Sequence, residues 1–322
     1  MKPDIPAFEH RPEFEWRFLA PGFWPTWLWL GLVRMLGWLP ARLRGWLGDR
    51  LGELVYRLHG KRRHIVQVNL RLCFPALSAA QREALARRYY RLLARSLLDY
   101  HLIWWGSARR VESQIELEGE EHLARCKAEG RPVILLTCHM VGLDFGALVI
   151  SRRYPGVGLI KPARNPLVEW LLTRGRTRYL ARLFKRDTGI RPIVRTLRQG
   201  FLFYYLPDED LGGRKPTVFA PFFGVPTATL TALGRLAGMT GAAVLPGATY
   251  YDAATGRYRM RISPPLEDFP TGDEIADATR MNREIEALVR EAPDQYMWSF
   301  RLFQTRPEGE RSPYENLSEE DT

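Results

Sequence analysis

Pro132 to Gly146 reads PVILLTCHMVGLDFG, and its first half constrains the fold more than any other stretch of the chain. Val133-Ile134-Leu135-Leu136 is an unbroken apolar run bounded by Gly130 and Pro132, the pattern of a buried strand. It stops at Thr137-Cys138-His139. Asp144 follows five residues after His139, and Phe145 to Ile150 looks helical. An imidazole therefore sits just past a strand end, with a carboxylate in the first turn of the next helix. In open α/β sheets ligands bind at such ends.

Residues five apart on one continuous helix are separated by about 140° net, so they do not face each other. His139 and Asp144 meet only if the chain turns between them, and Gly142 supplies that turn. Asp144 is then expected to hold one ring nitrogen of His139. The other nitrogen is left to take a proton from a substrate hydroxyl, with the helix N-terminus near a developing oxyanion. The same local pattern also fits a core histidine capped by an acid.

The pattern around this stretch is strand-helix alternation. Strands are read at Ile115 to Leu117, Pro132 to Leu136, Val157 to Ile160, Phe201 to Leu206 and Ala242 to Pro246. A hairpin is read around Ala253-Ala254-Thr255-Gly256, with strands ending at Tyr251 and running from Tyr258 to Ile262. Helices are read at Glu120 to Glu129, Asp144 to Ser151, Pro166 to Phe184, Pro192 to Gln199 and Asp273 to Glu291. This order implies an α/β fold with a mostly parallel central sheet flanked by helices. Before it lies a helical region. Its longest member starts at Ser78, with Gln81 as capping-box partner, and runs to about Trp105.

Pro21 to Pro40 (PGFWPTWLWLGLVRMLGWLP) is about long enough to cross a bilayer, and its tryptophans lie towards its ends. Arginines and lysines are denser after it than before it (Lys2, Arg11, Arg17), which puts the body of the protein in the cytoplasm. The expectation is a single-pass N-terminal anchor. A helix lying in the interface or buried in the core fits the same residues. From Arg42 to His64 follows an arginine-rich amphipathic stretch with Leu43, Leu47, Leu51, Leu54, Val55 and Leu58 at helical spacing, suited to an anionic membrane surface or to a solvated face. The expected organisation is a polar lead (1–20), an anchor helix (21–40), a catalytic domain (41–305, helical over 41–106 and α/β over 107–305) and a polar, disordered tail (306–322).

Forty-seven Lys and Arg against 36 Asp and Glu give a net charge of +11, which points to a polyanionic partner. The membrane-like segment favours an anionic lipid over nucleic acid. Cys73, Cys126 and Cys138 form neither a zinc pattern nor a disulfide framework, and no metal is expected. No GxGxxG, P-loop or GxSxG occurs, which argues against a dinucleotide enzyme, a P-loop kinase and a serine hydrolase.

Two further clusters follow strands. Lys161-Pro162-Ala163-Arg164-Asn165-Pro166, with Arg174, Arg176 and Arg178 beyond it, suits phosphate binding or a solvated helix face. Pro207-Asp208-Glu209-Asp210 suits Mg²⁺, a cationic group or a loop cap. Val218 to Gly224 reads as an apolar loop, a plausible wall for an acyl chain.

Seven ordered blocks together resemble the lipid A biosynthesis lauroyl/myristoyl acyltransferases, within the wider lysophospholipid-acyltransferase-like superfamily. They include Asn69-Leu70-Arg71-Leu72-Cys73-Phe74-Pro75, His139 with Asp144, Asn165-Pro166, Gly175-Arg176, Pro207 to Asp210, and Phe222-Phe223-Gly224. The last is Pro293 to Trp298 with Arg301 and Arg306-Pro307-Glu308-Gly309. Against the family pattern, Asp144 stands where glutamate is frequent, Lys161 where arginine is frequent, and Phe300 and Leu302 within a usual His-Arg-Arg run. The resemblance implies acyl transfer from an acyl carrier protein thioester to a hydroxyl of a Kdo-bearing lipid A precursor at the inner membrane, with no cofactor. It implies His139 and Asp144 as catalytic residues, and Lys161, Arg164, Asn165, Arg176, Asp208 and Arg301 as substrate-binding residues. The alternative is a membrane acyltransferase of the same fold acting on a lysophospholipid or another envelope lipid.

Overall fold

The computed structural model describes residues 9–212 and 216–314. Lys2 and the tail beyond Tyr314 lie outside them. Five helices come first: α1 (Trp24–Leu36), α2 (Ala41–Leu58), α3 (Gly60–Cys73), α4 (Ala79–Trp105) and α5 (Ala108–Gln114). Then follow β1 (Ile115–Glu118), α6 (Glu120–Ala128), β2 (Val133–Leu136), α7 (Leu143–Ile150), β3 (Gly156–Ile160), α8 (Pro166–Arg176) and β4 (Ala181–Lys185). The chain continues through α9 (Ile190–Arg198), β5 (Leu202–Tyr205), β6 (Thr217–Phe222), β7 (Val225–Leu230), α10 (Ala232–Thr240), β8 (Ala243–Asp252), β9 (Arg257–Ile262) and α11 (Glu274–Glu291).

Seven strands form one sheet in the order β1-β9-β8-β2-β5-β3-β4, with every neighbour parallel except β8 and β9. All four residues of β2 are fully buried between β8 and β5. An apolar residue at every position is what a strand covered on both faces requires. The α4 N-terminus carries the expected capping box: Gln81 N–H donates to Ser78 Oγ (3.2 Å) and Ser78 N–H to Gln81 Oε1 (2.8 Å).

The structure corrects four expectations. The helix read from Pro166 to Phe184 ends at Arg176, and Ala181–Lys185 is instead the edge strand β4. Its other edge is bridged at Glu9 and receives the His10 N–H at Leu183 O, 2.7 Å away. Val218 to Gly224 is no loop but half of the β6–β7 hairpin, turned at Phe223 and Gly224. Both turn residues have positive φ (51° and 78°), as a tight two-residue hairpin turn demands.

The described part of the lead is mostly exposed and is pinned at Phe18, which is buried, and at Phe14, 5.2 Å from the Trp170 ring. The described part of the tail packs on the body, where the buried Tyr314 hydroxyl donates to Asn69. Finally, Pro21 to Pro40 is not one spanning helix. α1 has 13 residues, about 20 Å at ~1.5 Å per residue against the ~30 Å of a hydrocarbon core. Among the described residues no helix is long and apolar enough to cross a membrane. The helix stops where Gly37 abuts His101; a Cβ there would sit 2.5 Å from the imidazole.

Candidate active site

His139 lies three residues past the end of β2, and Asp208 lies three residues past the end of β5. These strands are adjacent and parallel, with Leu136 paired to Tyr205, so equal overshoot brings the two side chains together. His139 Nδ1 is 2.8 Å from Asp208 Oδ1, and the His139 backbone N–H donates to Asp208 Oδ2, also at 2.8 Å. A carboxylate only accepts, so Nδ1 carries the proton and Nε2 presents its lone pair. Phe300 stands edge-on to the imidazole with 4.9 Å between ring centroids.

Burial pushes the His139 pKa down, but the Asp208 charge, its hydrogen bond and Glu209 outweigh burial and leave it above the ordinary imidazole value. Asp208 shows the reverse balance. Burial works to raise it, while His139 and the N–H donors hold it below the usual carboxylate range.

The segment after α11 fixes this geometry from behind. Met297 N–H donates to His139 O and Val141 N–H to Gln295 O, each at 2.8 Å. The Gln295 amide clasps β8 through Tyr251 N (2.7 Å) and Tyr251 O (2.8 Å). Asn69, buried on α3, donates to Trp298 O and Phe300 O, both at 2.7 Å. The Asn69 and Pro293-to-Trp298 blocks, far apart in sequence, thus meet as one support beneath the histidine.

Asp144 does not hold His139. It sits in the first turn of α7, where a carboxylate suits the helix N-terminus, and turns to α8. Arg176 grips it through Nε (2.9 Å) and Nη2 (2.8 Å), and the Tyr100 hydroxyl donates to Oδ2. Burial alone would raise Asp144; Arg176 and Tyr100 outweigh it and hold the pKa low. A bidentate fork satisfies a buried carboxylate better than one imidazole N–H does. Gly146 lets α7 sit this close to β8 and β9, since a Cβ there would lie 2.0 Å from Thr249 Oγ1.

The other expected site residues scatter in role. Lys161 is exposed at the end of β3 and lines a cavity that reaches His139, while Arg164 is exposed on the loop beyond it. Asn165 caps α8 through Leu167 N (3.0 Å) and Val168 N (3.3 Å), and its amide donates to Thr26. Arg178 closes the C-terminus of α4, donating to Ile103 O (2.9 Å) and Gly106 O (2.7 Å). Arg301 contacts Gln304 and lines neither cavity beside His139.

The Pro207-to-Asp210 acids divide. Asp208 faces inward to His139 rather than outward to a substrate, Glu209 pairs with Arg186, and Asp210 holds Thr305. No group of acids, histidines and cysteines that could hold a metal occurs among the described residues. The Phe222–Phe223 pair packs on Trp298 and Tyr296 and lines neither cavity beside His139, so it is core and not an acyl wall. Arg186, which lines both of those cavities, escaped sequence reasoning because its strand was read as helix.

A half-buried histidine with a fixed tautomer at the carboxyl end of a mostly parallel sheet, open to apolar cavities, defines an α/β enzyme able to activate a hydroxyl beside a hydrocarbon chain. The family model for bacterial lipid A biosynthesis acyltransferase matches residues 11–305. A Haemophilus influenzae lipid A biosynthesis acyltransferase is 35% identical over 302 residues, covering 94% of each chain. The Escherichia coli K12 lipid A biosynthesis palmitoleoyltransferase is 36% identical over 94% of this chain and 98% of its own. The lauroyltransferase of the same strain is 34% identical over 94% and 99%. The chain belongs to the lipid A biosynthesis acyltransferase family and is an acyltransferase.

Proposed function

We propose that the protein transfers a fatty acyl group from an acyl carrier protein thioester to a hydroxyl on a 3-hydroxyacyl chain of a Kdo-bearing lipid A precursor. The observation that carries this reading is the His139–Asp208 pair, which leaves Nε2 as a base where two apolar cavities meet. Nε2 takes the hydroxyl proton as the oxygen attacks the thioester carbonyl, and Asp208 stabilises the imidazolium that forms. The tetrahedral oxyanion collapses, the C–S bond breaks, and the leaving thiolate recovers the proton from His139. No acyl-enzyme forms. Arg176 spends Nε and Nη2 on Asp144 and keeps Nη1 for the oxyanion or an anionic headgroup. In this reading Asp144 acts through Arg176.

The same protein is proposed to lie on the cytoplasmic face of the inner membrane rather than to span it. Trp24, Leu28, Met35 and Trp38 stand outward around α1, and Leu43, Trp46, Leu54 and Leu58 do so along α2. Arg34, Arg42, Arg50 and Arg57 are interspersed with them. Apolar groups amid arginines suit an anionic bilayer surface.

The test is a purified-enzyme assay with acyl carrier protein thioester and either a Kdo-bearing lipid A precursor or a lysophospholipid, read by mass spectrometry. One added acyl group on the lipid A precursor alone is expected. Acylation of the lysophospholipid alone would overturn the acceptor assignment.

A further inference from the structure

Two cavities of about 320 Å³ each reach His139 and share Leu159, Tyr204, Leu206, Arg186 and Glu209 as their common edge. One runs between β5 and the α9–α10 pair, against Ile193, Phe203 and Leu236. The other runs between α7 and the β3–β4 edge, against Leu143, Ala147, Ile150 and Leu183. The reaction proposed above joins a carbonyl at the head of one fatty chain to a hydroxyl carried by a second. Two hydrocarbon chains must therefore converge on His139, and two largely apolar cavities reach it.

We propose that the α7–β3 cavity receives the hydroxyacyl chain of the acceptor, that the α9–α10 cavity receives the donor acyl chain, and that Gly158 sets the bore of the first. This rests on the acyl-transfer reading above.

The charges lining the two cavities support the assignment. The α7–β3 cavity is lined by the exposed Lys161 and by Arg176, cations suited to a phosphorylated or carboxylated headgroup. From there its wall follows β3 inward to Gly156, about 16 Å at ~3.3 Å per residue, the scale of a fatty chain. Leu143, Ala147 and Ile150 recur at helical spacing and present one face of α7 along it. The α9–α10 cavity is lined by the exposed Arg235 of α10, and Arg191 and Arg195 are exposed on α9, cations suited to an acidic carrier protein. Its lining includes Tyr205 and Thr231, whose buried hydroxyls have no partner among the described residues. A pantetheine arm carries amides that can use them, and a plain hydrocarbon does not.

Gly158 is the adjustable point. A Cβ built on it meets Leu183 Cδ2 at 3.6 Å and nothing nearer, so a side chain fits without moving the backbone and fills the channel. At neighbouring Gly156 the same atom would crowd Leu202 at 3.1 Å.

The experiment compares wild type, Gly158→Leu, Ala147→Leu and Ala232→Leu. Donor thioesters of graded length are set against acceptors with full-length or shortened hydroxyacyl chains, and thermal midpoints report folding. Gly158→Leu is expected to raise KM for the full-length acceptor about tenfold, to spare the shortened one, and to leave donor-length preference unchanged. Ala232→Leu, in the other cavity, should shift donor preference to shorter chains and leave acceptor KM unchanged. If Gly158→Leu does not fold, Ala147→Leu on the facing wall must give the same acceptor effect. A shift in donor preference from the α7–β3 variants, or no effect on either substrate, overturns the assignment. A wild type that acylates no hydroxyacyl acceptor overturns the functional reading itself, and that lane is read separately.

Discussion

α2 and α11 are both 18-residue amphipathic helices, and they are built in opposite senses. α11 turns Ala278, Met281, Ile285, Leu288 and Val289 into the core and leaves Arg283 and Arg290 outside. α2 turns Arg44, Gly45, Gly48 and Gly52 onto α4 and leaves Leu43, Trp46, Leu54 and Leu58 outside. Its inner face is held by ion pairs: Arg44 with Asp99 (2.5 Å), Asp49 with Arg95 (2.5 Å) and Glu53 with Arg91 (3.2 Å). The glycines permit the approach, since a Cβ at Gly52 would lie 2.5 Å from Arg91 Cα. An apolar stripe therefore says which face is greasy, not which medium it meets. α11 leaves charged side chains outside, and α2 leaves apolar ones outside, which the proposed function gives to a lipid surface.

The largest effect that sharpens this contrast is expected at Arg44. Its removal leaves Asp99 with the Tyr258 hydroxyl as its side-chain partner among the described residues, so Arg44→Ala should cost about 3–5 kcal/mol in denaturant unfolding. Arg283→Ala on the outer face of α11 should stay within about 0.5 kcal/mol. Next, Ile285→Ala should cost about 2–5 kcal/mol as a core truncation, whereas Leu54→Ala should leave stability within about 0.5 kcal/mol. The smallest effect on stability, with a clear one on binding, is expected from Leu43, Trp46, Leu54 and Leu58 changed together to Ser. The unfolding midpoint should hold while binding to anionic vesicles weakens at least tenfold, since burying each such side chain contributes up to about 1.5–3 kcal/mol. Unfolding of the quadruple variant without loss of vesicle binding would end the contrast.

The sheet was readable where the pattern is local. The all-apolar β2 run, the Ser78–Gln81 cap and the hairpin at Thr255-Gly256 each announce themselves within a few residues. β4 did not: Ala181-Arg182-Leu183-Phe184-Lys185 is short, carries charges at Arg182 and Lys185, and is continuous with the spacing of α8. The dyad was legible by half. His139 stood out at a strand end, but the nearest acid in sequence, Asp144, is not its partner. Its partner is 69 residues away, because β3 and β4 fold outward and leave β5 as the neighbour of β2. The available signal was an acid and a histidine at equal distance past two apolar strands, and using it requires the strand order. The Trp-rich segment from Pro21 to Pro40 was legible in composition and not in helix length, because the Gly37–His101 contact that ends α1 is tertiary.

The central claim is that His139, held by Asp208, is the base. Its most direct test is the pH dependence of kcat/KM in wild type, Asp208→Asn and Asp144→Asn. A base must be neutral to act, so the wild-type rate should fall as pH drops through a pKa above the ordinary imidazole value. Asp208→Asn removes the charge that opposes burial. Its acid limb should move to lower pH and its plateau should fall by about 10²–10⁴-fold. Asp144→Asn should lower the plateau while the limb moves less, since Asp144 bonds Arg176 and not the imidazole. A limb unmoved by Asp208→Asn but displaced by Asp144→Asn would contradict the account and give the histidine to the other acid.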